Sequence, residues 1–182
     1  DGADKLTINA TDPGDPNNAT GNDLILVRRN FVAYLNPQAP LEAGEAPGLL
    51  HQEVERINYD GTTNGRLEIA AGGGDDQFTV DDTSTLLTID AGLGDDAFQV
   101  GQVFGSKPTF ATDVDGIDLT SDSDEISLTP ISQGNWLSRG ISEAALLQGG
   151  GGQDTFTVFS NKAALRMEGE QGNDSFRVRA FV

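Results

Sequence analysis

The amino-acid sequence predicts an all-β protein that is built from stacked coils of about 20 residues. Three observations predict it: a gapless 14-residue phrase occurs four times, apolar residues alternate within each copy, and Gly-Asp turns recur at a spacing of 20. Alternation with a period of two is typical of strands that bury one face. A fixed period in this range predicts a parallel β-solenoid, because a single coil cannot bury its apolar face alone.

The four copies share one order of features: two apolar residues two apart, a Gly-rich turn that ends in Asp, and two more apolar residues two apart. They read LEIAAGGGDDQFTV (67–80), LTIDAGLGDDAFQV (87–100), ALLQGGGGQDTFTV (145–158) and LRMEGEQGNDSFRV (165–178). Each copy predicts a strand, a turn and a second strand. Because hydrogen-bonded strands lie about 4.8 Å apart, we expect the Gly-Asp turns of stacked coils to form a column along one edge.

Weaker copies and long insertions complete the chain, which we interpret as a single domain over 1–182. GNDLILV (21–27) and SDEISL (123–128) repeat the Asp-x-apolar-x-apolar phrase, whereas DKLTIN (4–9) matches either that phrase or the LTID before a turn. RRNFVAYLN (28–36) predicts an added strand or hairpin. Repeat material reaches both ends, so we expect a fragment of a larger protein. Insertions rich in Pro, Gly, Asn and Ser lie at about 10–20, 28–56, 101–122 and 129–143.

The composition restricts the partners of this chain. Its 11 Lys and Arg residues stand against 29 Asp and Glu, for a formal net charge of -18. Self-repulsion of this size opposes compaction unless cations neutralise it. Nucleic acid and anionic membrane surfaces are poor candidates as partners because both need a basic footprint. No apolar stretch approaches the roughly 20 residues that membrane insertion requires. The absence of Cys excludes disulfides, thiolate zinc sites and a Cys nucleophile.

The Gly-Asp turns have the chemistry of a calcium site. Glycine permits positive φ, so that carbonyl oxygens can point into the turn, and each turn adds an Asp carboxylate. Six to eight carbonyl and carboxylate ligands suit Ca²⁺, whereas Mg²⁺ needs a stricter octahedron. We also expect the carboxylates of Asp75, Asp76, Asp95 and Asp96 to lie within a few Å of one another in the folded state. Two unit charges ~5 Å apart cost about 3 kcal/mol at an effective dielectric of ~20, so calcium is expected to stabilise the fold.

These turns resemble the nonapeptide GGxGxDxUx of the RTX, or haemolysin-type, calcium-binding repeats. The matching phrases are AGGGDDQFT (71–79), AGLGDDAFQ (91–99), GGGGQDTFT (149–157) and GEQGNDSFR (169–177). The resemblance implies a right-handed parallel β-roll, calcium bound between successive turns, and export to an extracellular setting. Degenerate repeats with long insertions are similar to those of very large bacterial surface or adhesin-like proteins.

The resemblance also implies which residues bind calcium. The family's Asp ligand falls on Asp76, Asp96, Asp154 and Asp174. Its turn carbonyls fall around Gly72, Gly74, Gly92, Gly94, Gly150, Gly152, Gly169 and Gly172. The strong copies form two separated pairs, which predicts two sites between turns, and Asp23 and Asp124 are candidates to extend the column.

The sequence departs from the family's pattern in two respects. Each coil contains one nonapeptide where the family has two, so we expect a single calcium-binding edge. Ala71 and Ala91 replace the first glycine of their turns, and Glu170 replaces the second glycine of the last turn.

These motifs have other interpretations. Gly and Asp can serve as metal-free turn residues. The stretch DVDGIDLTSDSDE (113–125) is not an EF-hand, because Gly is not at its sixth position. His51, the single His, has no Ser or Cys partner at the spacing of a familiar triad.

The sequence therefore predicts a calcium-binding structural module, a spacer or adhesin scaffold, and not an enzyme. Its expected partners are calcium ions and the flanking domains of a parent chain. The alternative is a recognition module whose insertions (28–56 and 101–143) bind a surface glycan or a protein. A third interpretation, a polysaccharide-active enzyme, would use neighbouring carboxylates for catalysis.

Overall fold

The computed structural model describes residues 4–10, 21–36, 53–59, 65–108 and 126–179. These residues contain fifteen strands and one 3-10 turn, Ser132–Gly134. The strands are β1 (Lys5–Asn9), β2 (Leu24–Val27), β3 (Phe31–Asn36), β4 (Glu53–Asn58), β5 (Arg66–Ala70), β6 (Gln77–Val80), β7 (Leu86–Leu93), β8 (Ala97–Val100), β9 (Val103–Phe104), β10 (Leu128–Pro130), β11 (Trp136–Ser138), β12 (Ala145–Gly151), β13 (Thr155–Val158), β14 (Leu165–Gln171) and β15 (Ser175–Val178). No helix in the described ranges has the length and apolarity needed to cross a membrane.

The strands form three sheets. Sheet A has the order β1-β5-β7-β12-β14, and all of its pairs are parallel. Sheet B has the order β15-β13-β8-β6-β2-β3-β4, parallel from β15 to β2 and antiparallel from β2 to β4. Sheet C is antiparallel, with the order β10-β11-β9. The Gly-Asp turns connect a strand of sheet A to the next strand of sheet B.

The predicted right-handed parallel β-solenoid is wrong for this chain, because sheet B is mixed and sheet C is antiparallel. Sheets A and B do not form a single parallel solenoid, since β3 and β4 extend sheet B in antiparallel pairing and sheet C is antiparallel throughout. Only residues 28–30 separate β2 from β3. A connection this short reverses the chain and gives antiparallel pairing, whereas parallel neighbours need a crossover of roughly a dozen residues. The alternating pattern predicted strands but not these directions.

Several smaller predictions are also settled. The segment 4–9 corresponds to the strand that precedes a Gly-Asp turn, as LTID does, because β1 pairs with β5 through Leu6 and Ile8. Of the weak copy at 123–128, residues 123–125 lie outside the described residues, and β10 begins at Leu128 and pairs antiparallel with β11. Asp124, the whole acidic stretch 113–125 and His51 lie outside the described residues.

The core lies between sheets A and B. Inner strands such as β5 and β6 alternate buried and partly exposed residues, and most of the buried apolar side chains belong to one cluster. Along sheet B, Phe78, Phe98, Phe156 and Phe176 stack with ring centroids 4.8, 4.6 and 4.8 Å apart. These distances match the spacing of hydrogen-bonded strands. The aromatic column therefore holds successive Gly-Asp turns in register.

Candidate metal site on the Gly-Asp edge

The Gly-Asp edge consists of the four turns 71–76, 91–96, 149–154 and 169–174. The second and fourth residues of each turn adopt positive φ, for example 103° at Gly92 and 132° at Gly94. A Cβ at either glycine would overlap a backbone carbonyl of the preceding coil. Glu170 adopts a φ of 69° at the second position of the last turn, where the other turns have glycine. Glycine at these positions therefore permits both the turn conformation and the close stacking, and the last turn adopts positive φ with Glu170 instead.

One aspartate from each coil forms an inner row along this edge. The Asp23 amide donates to Asp76 Oδ1 (2.8 Å), and the Asp76 amide donates to Asp96 Oδ1 (2.8 Å). The Asp96 amide donates to Asp154 Oδ1 (2.9 Å), and the Asp154 amide donates to Asp174 Oδ1 (3.1 Å). Each carboxylate thus binds the backbone of the preceding coil through one oxygen. The row includes all four predicted Asp ligands and begins at Asp23.

The structure joins the two predicted pairs of turns into one series. Asp96 and Asp154 are 58 residues apart in sequence but occupy adjacent rungs. They meet because β12 pairs directly with β7 and β13 directly with β8. The intervening insertion leaves the stack after β8 and returns before β12, so the coils on either side of it are neighbours.

The second oxygen of the inner carboxylates is buried without a partner. The exposed fractions of Asp76, Asp96 and Asp154 are 0%, 1% and 1%, and Oδ2 of each makes no hydrogen bond. Burial raises the pKa of Asp76 to about 6 and that of Asp96 to about 7, and it also raises the pKa of Asp154. Hydrogen bonds from the backbone oppose this shift, whereas neighbouring carboxylates add to it. Burial therefore makes ionisation of these carboxylates unfavourable.

Asp75 and Asp95, which were expected to gather with the inner carboxylates, lie in a separate outer row. The Asp75 amide donates to Asn22 Oδ1 (2.9 Å), the Asp95 amide to Asp75 Oδ1 (2.9 Å), and the Gln153 amide to Asp95 Oδ1 (2.7 Å). Both aspartates are exposed to solvent. Their ladder repeats the inner one, but water can solvate their charges.

The first residue of the turn is alanine in the first two turns of the row and glycine in the last two. A Cβ at Gly149 would overlap Oδ2 of Asp154, and a Cβ at Gly169 would overlap Oδ2 of Asp174. These carboxylate oxygens therefore lie against the glycine backbone of their own turns. Ala71 and Ala91, both buried, carry a Cβ at the corresponding positions.

The donor set determines which cation this edge could hold. Within the described ranges, no group of three or more His, Cys, Asp and Glu side chains is arranged to hold a metal ion. The carboxylates form a row and not a cluster, so a cation would need backbone carbonyls to complete its coordination. Some turn carbonyls already accept hydrogen bonds, as Gly72 O does from the Leu93 amide (3.1 Å). Ca²⁺ tolerates this mixture because it binds carbonyl and carboxylate oxygens in irregular geometry.

The opposite edge contains a buried charge cluster that the sequence analysis missed. This Asp-Arg edge consists of Asp81, Asp82 and Arg28, whose exposed fractions are 0%, 2% and 8%. Asp81 Oδ1 accepts from the Gly140 amide (2.8 Å), while Asp82 lies 4.0 Å from Arg29 and 3.8 Å from Arg139. Burial lowers the pKa of Arg28, and Asp81 and Asp82 oppose that shift.

A sequence signal for this cluster existed. Asp81 directly follows Val80 of β6, Arg28 directly follows Val27 of β2, and these two valines are register partners. Recognising it required knowing that β2 and β6 pair.

Comparison with protein-family models, with curated proteins and with solved structures finds no match for this chain.

Proposed function

We propose that this chain is a calcium-binding structural module of a secreted or cell-surface protein, in which Ca²⁺ binds along the Gly-Asp edge and stabilises the folded state. The module acts as a spacer or scaffold and not as an enzyme. The observation that carries this proposal is the series of buried, unpartnered Oδ2 atoms on Asp76, Asp96 and Asp154. Buried polar atoms normally have partners, and a divalent cation is the partner that also cancels their charge.

The surrounding charges support a cation over a hydrogen-bond donor. In the part of the chain that the structure describes, Glu68, Asp82 and Glu168 form ion pairs, whereas the inner-row aspartates form none. The factors that shift the pKa values of these aspartates include neighbouring carboxylates and no basic group. An extracellular setting suits such sites, because calcium is abundant there and modules with weak sites remain loaded.

The test is a calcium titration of the intact chain, by isothermal calorimetry and by thermal unfolding. Saturation at 100 times the dissociation constant stabilises a protein by about 2.7 kcal/mol per ion. We therefore expect millimolar calcium to raise the melting temperature by roughly 5–20 °C over EDTA, depending on the number of ions. Magnesium at the same concentration should give a smaller shift, since its geometry is stricter.

Two matched variants locate the binding. Asp96→Asn removes a buried inner-row charge, and Asp95→Asn removes an exposed charge one residue away. Calcium binding heat and stabilisation should fall strongly in the first variant and change little in the second. An intact chain with the same melting temperature in EDTA and in calcium, and with no binding heat, refutes the proposal.

A further inference from the structure

Residues 21–23 form a rung of the Gly-Asp edge ahead of the four turns that the repeat identifies. A Cβ at Gly74 would overlap the carbonyl oxygen of Gly21, and the Asp23 amide donates to Asp76 Oδ1 (2.8 Å). The later turns contact one another in the same two ways. We call residues 21–23 the first rung, and Asp23, which is 8% exposed, is its carboxylate in the inner row.

The Asp23 carboxylate differs from the others of the row in the donor that it accepts from. In the later rungs, Oδ1 of the aspartate accepts from the backbone amide of the preceding coil. The strand beyond β2 in sheet B is β3, which pairs antiparallel with β2. This position therefore holds a hairpin and not another coil. The Tyr34 hydroxyl of that hairpin donates to Asp23 Oδ1 (2.9 Å), so a side chain replaces the backbone donor of the later rungs.

The hairpin of β3 and β4 fixes the position of Tyr34. Tyr34 is the register partner of Ile25, which is 2% exposed, and its side chain packs against the core cluster. Burial, the hydrogen bond to Asp23 and neighbouring carboxylates raise the pKa of Tyr34 to about 12. The hydroxyl therefore keeps its proton at neutral pH and remains a donor to Asp23.

We propose that Tyr34 is a positioning residue of the Gly-Asp edge, whose hydroxyl holds Asp23 as a ligand of a further calcium site between the first rung and the turn 71–76. A hydrogen bond to one oxygen of a metal-binding carboxylate orients the group and leaves its other oxygen for the cation. Asp76, whose buried Oδ2 makes no hydrogen bond, is the second carboxylate of this site. The inference rests on the proposed function, because Tyr34 acts only through these two ligands.

The first experiment is a calcium titration by calorimetry of the intact chain and of two variants that each lose one tyrosine hydroxyl. Tyr34→Phe should weaken one calcium site by about tenfold or more. Tyr59→Phe is the matched control, because Tyr59 is 8% exposed and its hydroxyl donates to the Arg28 carbonyl oxygen near the opposite edge. This control should bind calcium like the unmodified chain. Circular dichroism checks that both variants are folded.

A double-mutant cycle separates positioning from a general effect on the fold. Asp23→Ala removes the carboxylate through which Tyr34 acts. In that background Tyr34→Phe should leave calcium affinity unchanged, although it can still lower the free energy of unfolding, because two residues that act as one unit are not additive. A further loss of calcium affinity in the Asp23→Ala background overturns the inference.

Terbium luminescence tests the same site without relying on affinity. Tb³⁺ occupies calcium sites and emits when an excited aromatic ring lies close to it, and the chain has two Tyr and one Trp. At saturating terbium, Tyr34→Phe should lose most of the sensitised emission, whereas Tyr59→Phe should retain it. Equal emission and equal calcium affinity in the two variants overturn the role of Tyr34 and leave the proposed function standing. An unmodified chain that binds no calcium overturns both.

Discussion

The two edges of the paired sheets bury the same chemical group in different surroundings. On the Asp-Arg edge the buried Arg28 is a nearby positive charge that opposes the rise in the pKa of the buried Asp81, although Oδ2 of Asp81 makes no hydrogen bond. On the Gly-Asp edge Asp96 is equally buried and its charged neighbours are other carboxylates. A buried charge without a partner is costly, on the order of several kcal/mol. The comparison indicates that this protein neutralises one edge internally, and we expect the other edge to depend on a dissolved cation.

The largest expected effect comes from removing the internal countercharge. Arg28→Met preserves much of the side-chain length and leaves Asp81 buried without its cation. We expect a loss of about 3–5 kcal/mol in the free energy of unfolding, equal in calcium and in EDTA, measured by urea denaturation. Arg29→Met is the control, because Arg29 is half exposed and its pair should contribute about 1 kcal/mol or less. A loss that calcium reverses would contradict the separation of the two edges.

The pH dependence without calcium tests the Gly-Asp edge. The folded pKa values of Asp76 (about 6) and Asp96 (about 7) lie above the ordinary value of 3.8, so the folded state binds these protons more tightly than the unfolded state. Their stabilisation is complete below pH 4 and is lost as pH rises through 6 and 7. In EDTA we expect the unfolding free energy to fall by about 2–4 kcal/mol between pH 5 and pH 8.

Saturating calcium should reduce or reverse that fall, because binding favours the ionised carboxylates. Urea denaturation at several pH values measures both series. Stability in EDTA that is constant or increases from pH 5 to pH 8 would show that burial does not disfavour these charges.

A smaller effect of opposite sign is expected for Asp96→Asn in EDTA. The asparagine Oδ1 can still accept from the Asp76 amide, while the buried negative charge is removed. At pH 8 without calcium this variant should be more stable than the unmodified chain by about 1–2 kcal/mol, whereas in calcium it should be less stable. Asp95→Asn, in the exposed outer row, should change stability little in either buffer. Destabilisation by Asp96→Asn in both buffers would assign the carboxylate a purely structural role.

The smallest effect concerns the first position of the turns. Gly149→Ala places a Cβ where Asp154 Oδ2 lies and should displace that oxygen. Because Ala71 and Ala91 occupy the corresponding positions of other turns, we expect the fold to accept the change. Calcium affinity, measured by calorimetry, should fall by about tenfold, or roughly 1.4 kcal/mol. Unchanged affinity would exclude Asp154 Oδ2 as a ligand.

Much of the candidate site could be predicted from the sequence, whereas its connectivity could not. The turns with Asp76, Asp96, Asp154 and Asp174 were identified from the repeat, and the structure places all four in the inner row. The sequence could not show that the coil ending in Asp96 stacks on the coil ending in Asp154, because an insertion separates them. Alternation also puts Asp76 in phase with the buried Phe78, and it leaves the adjacent Asp75 on the other face, where it is exposed.

The sequence by itself determined the local elements: period-two alternation sets the strands, and glycines at positive φ set the turns, because both depend on neighbouring residues alone. The tertiary structure decided the directions of β3, β4 and sheet C, which made the predicted parallel β-solenoid wrong. It also brought Arg28 and Asp81, residues 53 positions apart in the sequence, close enough for the charge of Arg28 to affect the pKa of Asp81. Such contacts depend on which strands become neighbours, and that choice is made by burial of the shared core.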